Sequence, residues 1–304
     1  MKRSALLVLV GGILAAAAFF LPLEVSHTRD GILGPGTSWL QTVQVIGFPA
    51  GAVYLLEPFA AILLIGGGAL AFKMRSAGHV LGLSGAAVGL TFLVWYFTLI
   101  FAVYRGFQPD GSFGAFAQDF GSGFWLAVIG CALGLVGSLF GWQKPQGLAA
   151  SAGASRSRVG IVLALLGGLA AAASFFMAPF APELLGQEGL FDLIKQANGY
   201  LIVWPALLAP LLLIVCALFA LRGTGRAYLG SLTGALIGLT FLFLVVALSL
   251  GGSEGRPFYQ AHVAAGYWLA LLGYAAGFLG ALVGLAKRSA APAYVHPSEA
   301  PTQY

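Results

Sequence analysis

Apolar positions in this chain come in long unbroken runs, with neither the alternation of a half-buried strand nor the single apolar stripe of a surface helix. The runs are Ala5–Leu21, Gly51–Phe72, Val80–Tyr104, Gly123–Trp142, Val159–Phe176, Tyr200–Leu221, Tyr228–Leu250 and Val263–Leu285. A helix needs about 20 apolar residues to cross the hydrocarbon core of a bilayer, and these runs are near that length. They predict an all-α polytopic membrane protein with eight transmembrane helices.

The chain also repeats itself. GFWLAVIGCALGLVGSLFGW, from Gly123 to Trp142, recurs as GYWLALLGYAAGFLGALVGL from Gly266 to Leu285. Gly130, Gly134, Gly137 and Gly141 fall on Gly273, Gly277, Gly280 and Gly284 without a gap. At helical spacing each set lines one face, and a small-residue face in lipid lets another backbone approach closely. GGILAAAAFF at Gly11–Phe20 recurs as GGLAAAASFF at Gly167–Phe176, and GLTFL at Gly89–Leu93 recurs at Gly238–Leu242. The second and sixth runs match weakly, through Pro58 and Pro205. The expected plan is therefore two fused parallel four-helix repeats, related by an axis along the membrane normal. Residues 1–143 form the first repeat, 144–158 a linker, 159–288 the second repeat, and 289–304 a polar, proline-punctuated tail expected to be disordered. Met1-Lys2-Arg3 and the first apolar run have the form of a signal peptide. Because the same run recurs deep inside the chain, a retained first helix is expected.

Composition agrees with the runs. Only 8% of the 304 residues are charged and 59% are hydrophobic, where a soluble domain carries about 25% charged residues. The net charge of +5 points to topology. Of the 15 Lys and Arg residues, only Arg29, Arg105, Lys195 and Arg256 fall on the side opposite the rest. The positive-inside rule then puts both termini in the cytoplasm. A prokaryotic cytoplasmic membrane is the expected location, since no organelle address is evident. No basic patch interleaved with aromatics occurs, so nucleic-acid binding is not expected.

Chemistry-bearing residues are few. Cys131 and Cys216 lie inside apolar runs and read as small packing residues. The eight spans in fused four-helix halves are similar in plan to haem A synthase, a family that places haem-ligating histidines within its bundles. Here His27 and His262 fall in outer loops, His79 at a cytoplasmic helix end and His296 in the tail. The motif is missing, and no haem or other cofactor is expected. The spacing of His27 and His262 matches no metal motif. The glycine runs lack the Lys-Ser/Thr of a phosphate loop. No nucleophile and base are arranged together, so an enzyme is not expected. Thr37–Val45 and Gly189–Gln196, each just before an even-numbered span, read either as short amphipathic helices at the outer interface or as ordinary loops. Trp125, Trp268, Tyr200 and Tyr104 read as an interfacial aromatic belt.

Glu57 is the one acid in a predicted span. An ionisable group costs about 2.5–3.5 kcal/mol at the centre of a membrane helix, and so marks a functional site by default. Counting back from Lys73 at about 1.5 Å per residue puts Glu57 near the outer edge, in reach of water. Its counterpart, one before Pro205, is Trp204, a typical interface residue. Pro58 disfavours helical geometry at Glu57, so a kinked or barely begun helix end is expected. Glu57 and Pro58 are thus the candidate polar site, with an anchoring role expected over a proton or cation role. The expected function is a non-enzymatic scaffold or accessory subunit in the lipid bilayer, with a membrane-protein partner. The alternative is a transporter or channel for a small or apolar solute, with Thr91, Thr98, Thr240 and Ser249 along its path.

Overall fold

The computed structural model describes residues 2–23, 38–46, 50–73, 75–107, 120–142, 157–177, 200–222, 227–251 and 264–289. The outer segment Gly189–Gln196, His27, His262, the linker up to Arg156 and the tail beyond Ser289 lie outside them. Among the described residues there is no strand, only an isolated bridge between Pro22 and Ser38. The helices are α1 (Lys2–Ala18), α2 (Trp39–Ile46), α3 (Leu56–Lys73, preceded by the 3-10 turn Ala50–Leu55), α4 (Arg75–Phe107), α5 (Ser122–Trp142), α6 (Arg158–Ser174), α7 (Tyr200–Leu221), α8 (Ala227–Gly251) and α9 (Ala265–Ser289). Each apolar run of the sequence is therefore helical.

Among the described residues, five stretches are long and apolar enough to cross a membrane: Val53–Lys73, Ala77–Thr98, Ser122–Gly141, Ala227–Leu244 and Ala265–Ala286. Arg158–Ser174 and Leu207–Leu221 are apolar but shorter. α1 and α6 each close in the same way, with i→i+3 backbone bonds over the residues that follow them. Phe19, Phe20 and Leu21 donate to Ala16, Ala17 and Ala18, and Phe175, Phe176 and Met177 donate to Ala172, Ala173 and Ser174. These bonds occupy carbonyls that a helix end otherwise leaves open.

The helices put small residues inside and large ones outside. On α1, Ala5, Gly11, Gly12, Ala15 and Ala18 are buried while Leu6, Val10 and Ile13 are exposed. On α6, Gly167, Gly168 and Ala171 are buried while Val162, Leu166 and Leu169 are exposed. In water this would be inverted. In lipid, where tails are as apolar as leucine, close packing and not burial of large side chains drives association.

Four helices form each group. α1 packs on α3 and α5, and α4 packs on the same two; α6 packs on α7 and α9, and α8 packs on the same two. The groups meet where α8 lies along α4 and touches the 3-10 turn before α3. That seam is apolar: Leu244 of α8 is buried in the core of the first group, and Ala87 of α4 in the core of the second.

The glycine ladder does not face a single neighbour, as one face in one groove would. A methyl group placed at Gly130 falls 2.6 Å from the Gly11 carbonyl, and one at Gly137 falls 2.8 Å from the Ser4 carbonyl, both backbone atoms of α1. Gly134 instead receives the end of Leu64 from α3, and Gly141 the ring of His79 from α4. The second ladder divides the same way. A methyl group placed at Gly273 falls 2.7 Å from the Gly167 carbonyl and one at Gly280 falls 2.6 Å from the Gly160 carbonyl, while Gly277 receives Leu213 and Gly284 the Tyr228 ring. Alternate rungs admit a backbone and a side chain because the stripe looks into the corner between two helices.

Candidate functional site

Glu57 lies in the first turn of α3, and its sequence neighbourhood explains where it goes. Ala60, Ala61, Leu64, Gly67, Gly68 and Ala71 follow it at helical spacing and are all buried, whereas Phe59, Ile62, Leu70 and Phe72 are exposed. Glu57 belongs to the small-residue face and is carried into the first helix group, where its exposure is 0%. Its own helix group therefore shields Glu57 from water, which the sequence had placed within its reach. The count along the helix ignored which way the residue faces. The 3-10 turn also adds a further turn before Glu57, so the apolar stretch begins at Val53. Pro58 sits in the same first turn, where a missing N–H removes no helical bond.

The proposed counterpart also changes. Gly85 lies against the Ala60 carbonyl, Leu63 Cβ and Leu64 nitrogen; Gly234 lies against the Ala209 carbonyl, Leu212 Cβ and Leu213 nitrogen. Ala209 takes the place of Ala60 and Leu213 that of Leu64. On this register Ala206, not Trp204, stands where Glu57 stands, and Pro58 and Pro205 do not correspond.

Neither carboxyl oxygen of Glu57 has a hydrogen-bond partner. Next to it, Gly89 of α4 admits the Ala60 methyl and the Cys131 thiol of α5. Among the described side chains Glu57 is the one buried carboxyl, and no Lys or Arg is buried. An ionised carboxylate in such surroundings is strongly disfavoured unless paired.

The outer end of the group is capped by aromatics. α2 sends Trp39 inward, at 0% exposure, with its ring centroid 5.4 Å from Phe92, 5.6 Å from Tyr96 and 6.1 Å from Tyr54. Phe120, just before α5, and Phe124 of α5 extend the cluster, 4.3 Å apart and each 6.3 Å from Tyr96. Such spacings are those of favourable offset and edge-on pairs. Trp39 Nε1 has no hydrogen-bond partner. α2 is thus a short helix docked by its tryptophan, with Leu40 and Gln41 on its exposed side. The one sequence signal of the cluster is the pair Phe92 and Tyr96, four apart on α4 and so on one helix face. Trp125 and Trp268 are about half exposed on outer faces, as an interfacial belt requires. The side chains of Tyr104 and Tyr200 lie outside the described ones.

Other polar groups settle locally. The Thr91 hydroxyl donates to the Ala87 carbonyl and the Thr98 hydroxyl to the Val94 carbonyl, both at 2.7 Å and within α4. Helices satisfy such hydroxyls internally by bonding four residues back. His79, expected at a helix end, is buried at 4% exposure with its ring on Gly141, and its Nδ1 has no partner. Cys131 and Cys216 are free thiols set against Gly89 and Gly230. Among the described residues no three His, Cys, Asp or Glu side chains come together as a metal site would need.

Comparison with protein-family models, curated proteins and solved structures finds no match for this chain.

Proposed function

We propose that the chain is a non-enzymatic integral membrane protein that serves as a scaffold or accessory subunit of an assembly in a prokaryotic cytoplasmic membrane. In this reading it crosses the bilayer eight times, as two parallel four-helix repeats with both termini in the cytoplasm. Recurrence of the same glycine contacts in both groups supports the repeat. The bias of Lys and Arg to one side supports the orientation. The observation that carries the functional reading is the seam between the groups. A solute path between repeats needs polar or hydrated walls at mid-depth. Along this seam Leu244 and Ala87 are instead buried among apolar side chains of the opposite group. The hydroxyls of Thr91 and Thr98 are turned back onto their own helix.

Transport of a small solute or proton is the second reading, and Glu57 is the observation that favours it. The test is reconstitution of the whole chain in vesicles. An imposed proton or potassium gradient is expected to decay no faster than in empty vesicles. Faster decay that disappears in a well-folded Glu57→Gln protein would replace the scaffold with a transporter.

A further inference from the structure

Glu57 poses a question that neither reading answers: what balances its carboxyl. Near the level of Glu57 the groups able to ionise on the surrounding elements are Cys131 on α5, Tyr96 on α4 and Tyr54 on the 3-10 turn. These are neutral or negative at any pH, so none balances a carboxylate. Lys2 and Arg3 of α1, Lys73 of α3, Arg75 and His79 of α4 and Tyr228 of α8 are at the opposite helix ends, and Tyr104 and Arg105 lie toward the far end of α4. Arg105 is sixteen residues beyond Gly89, about 24 Å at helical rise. His79 is ten residues from Gly89 on α4, about 15 Å at helical rise. α2 brings Trp39 and Thr42, which do not ionise in this range.

A metal ion fits poorly. Hard cations take about six or more oxygen ligands, and neither Glu57 oxygen has even one polar partner at hydrogen-bond distance. A proton needs no further ligand. It leaves a neutral acid that the Ala60 methyl, Cys131 and the aromatic cap tolerate far better than a charge.

We propose that Glu57 is a proton-binding site in the interior of the first helix group, resident as the neutral acid. Release sends the proton to water and leaves a carboxylate, and it requires the outer end of α3 to open. The joint for such opening is the junction of the 3-10 turn with α3 at Leu56, followed by Pro58, which donates no backbone bond. The inference goes beyond the scaffold reading and holds whether or not the proton crosses the membrane.

The test is infrared spectroscopy of the whole chain in lipid at neutral pH, with glutamate labelled by carbon-13 at the side-chain carboxyl. The wild type is expected to show the carbonyl stretch of a protonated carboxyl, shifted by the isotope and lost in Glu57→Gln. The isotope assigns the band to glutamate without mutation, and a carbodiimide adduct assigns it to Glu57 among the other glutamates, so the result stands even if the variant fails to fold. Dicyclohexylcarbodiimide, which attacks protonated carboxyls in apolar surroundings, is expected to leave its adduct on the Glu57 peptide. A spectrum with carboxylate bands alone, and no isotope-sensitive protonated band, overturns the proposal. Vesicle flux is a separate readout, so a protonated Glu57 in vesicles that hold their gradient leaves the scaffold reading intact.

Discussion

Around Gly89 the corner between α3, α4 and α5 is filled by the Ala60 methyl and the Cys131 thiol, with Glu57 one turn further out. Around Gly238, the matching corner of the second group is filled by the Tyr274 ring. Tyr274 holds the ladder position of Cys131, and Ala206 the helix position of Glu57. The first group thus has a small side chain where the second has a large one, and the reverse one helix away. Further out, Tyr96 and Phe97 of α4 give way to Val245 and Val246 on α8. Where the groups agree, at glycines against backbone, the residues serve assembly. Where they differ in sequence, Glu57, Tyr96 and Phe97 stand in place of Ala206, Val245 and Val246. A requirement for packing falls on both copies alike, so a feature confined to one copy is the better candidate for function.

The largest effect should come from the shared frame. Gly130 and Gly273 each face a backbone carbonyl that cannot rotate away, whereas Gly134 and Gly277 face the flexible ends of Leu64 and Leu213. Gly130→Ala and Gly273→Ala are each expected to cost about 1–3 kcal/mol by overpacking, read as lowered thermal stability in detergent. Gly134→Ala and Gly277→Ala should cost clearly less in the same measurement. Leucine at any of the four would be worse still. If Gly130→Ala is severe and Gly273→Ala harmless, the two groups are not held in the same way and the comparison breaks.

Next comes the difference itself. A buried polar group without a partner costs about 1–3 kcal/mol, which an apolar replacement of similar shape recovers. Glu57→Leu is therefore expected to raise thermal stability, making the first group more like the second. A fall in stability would mean that Glu57 makes a bond that holds the group together, and its role would then be structural.

The all-helical, apolar character of the fold was legible because long apolar runs are a one-dimensional signal. Glu57 was not, for two reasons. Helix α3 is apolar all round, so no contrast of polar and apolar faces told which way the acid points. The informative contrast in lipid is small against large, and on that scale Ala60, Ala61, Gly67, Gly68 and Ala71 mark the inner face with Glu57 on it. Pro58 and Pro205 also offered a conspicuous but false register: Pro58 lies in the first turn of α3, whereas Pro205 is the sixth residue of α7. The paired glycines Gly85 and Gly234, whose contacts fix the register, depend on neighbours that no spacing reveals. The cap was hidden likewise, since Trp39 reaches Phe92 across a long sequence separation.

The smallest expected effect tests the comparison most finely. A methyl group placed at Gly82 falls 2.7 Å from Ser138 Oγ and 2.7 Å from Val8 Cγ1. On the shared register Ser231 stands where Gly82 does, Ala164 where Val8 does, and Ala281 where Ser138 does; all six positions are buried. Each group thus fills this corner to a similar volume, with the serine moved from one helix to another. Gly82→Ser alone is expected to cost about 1–3 kcal/mol through overpacking. Adding Val8→Ala and Ser138→Ala reproduces the second group's corner inside the first. The triple variant should recover most of that loss, because volume-conserving exchanges usually cost under about 1.5 kcal/mol. Changes at touching residues are non-additive by about 0.5–3 kcal/mol, so a favourable coupling of that size is the signature to measure by thermal denaturation of the single, double and triple variants. Additive losses would show that the two corners only resemble each other in sequence, and the register joining Gly82 to Ser231 would have to be redrawn.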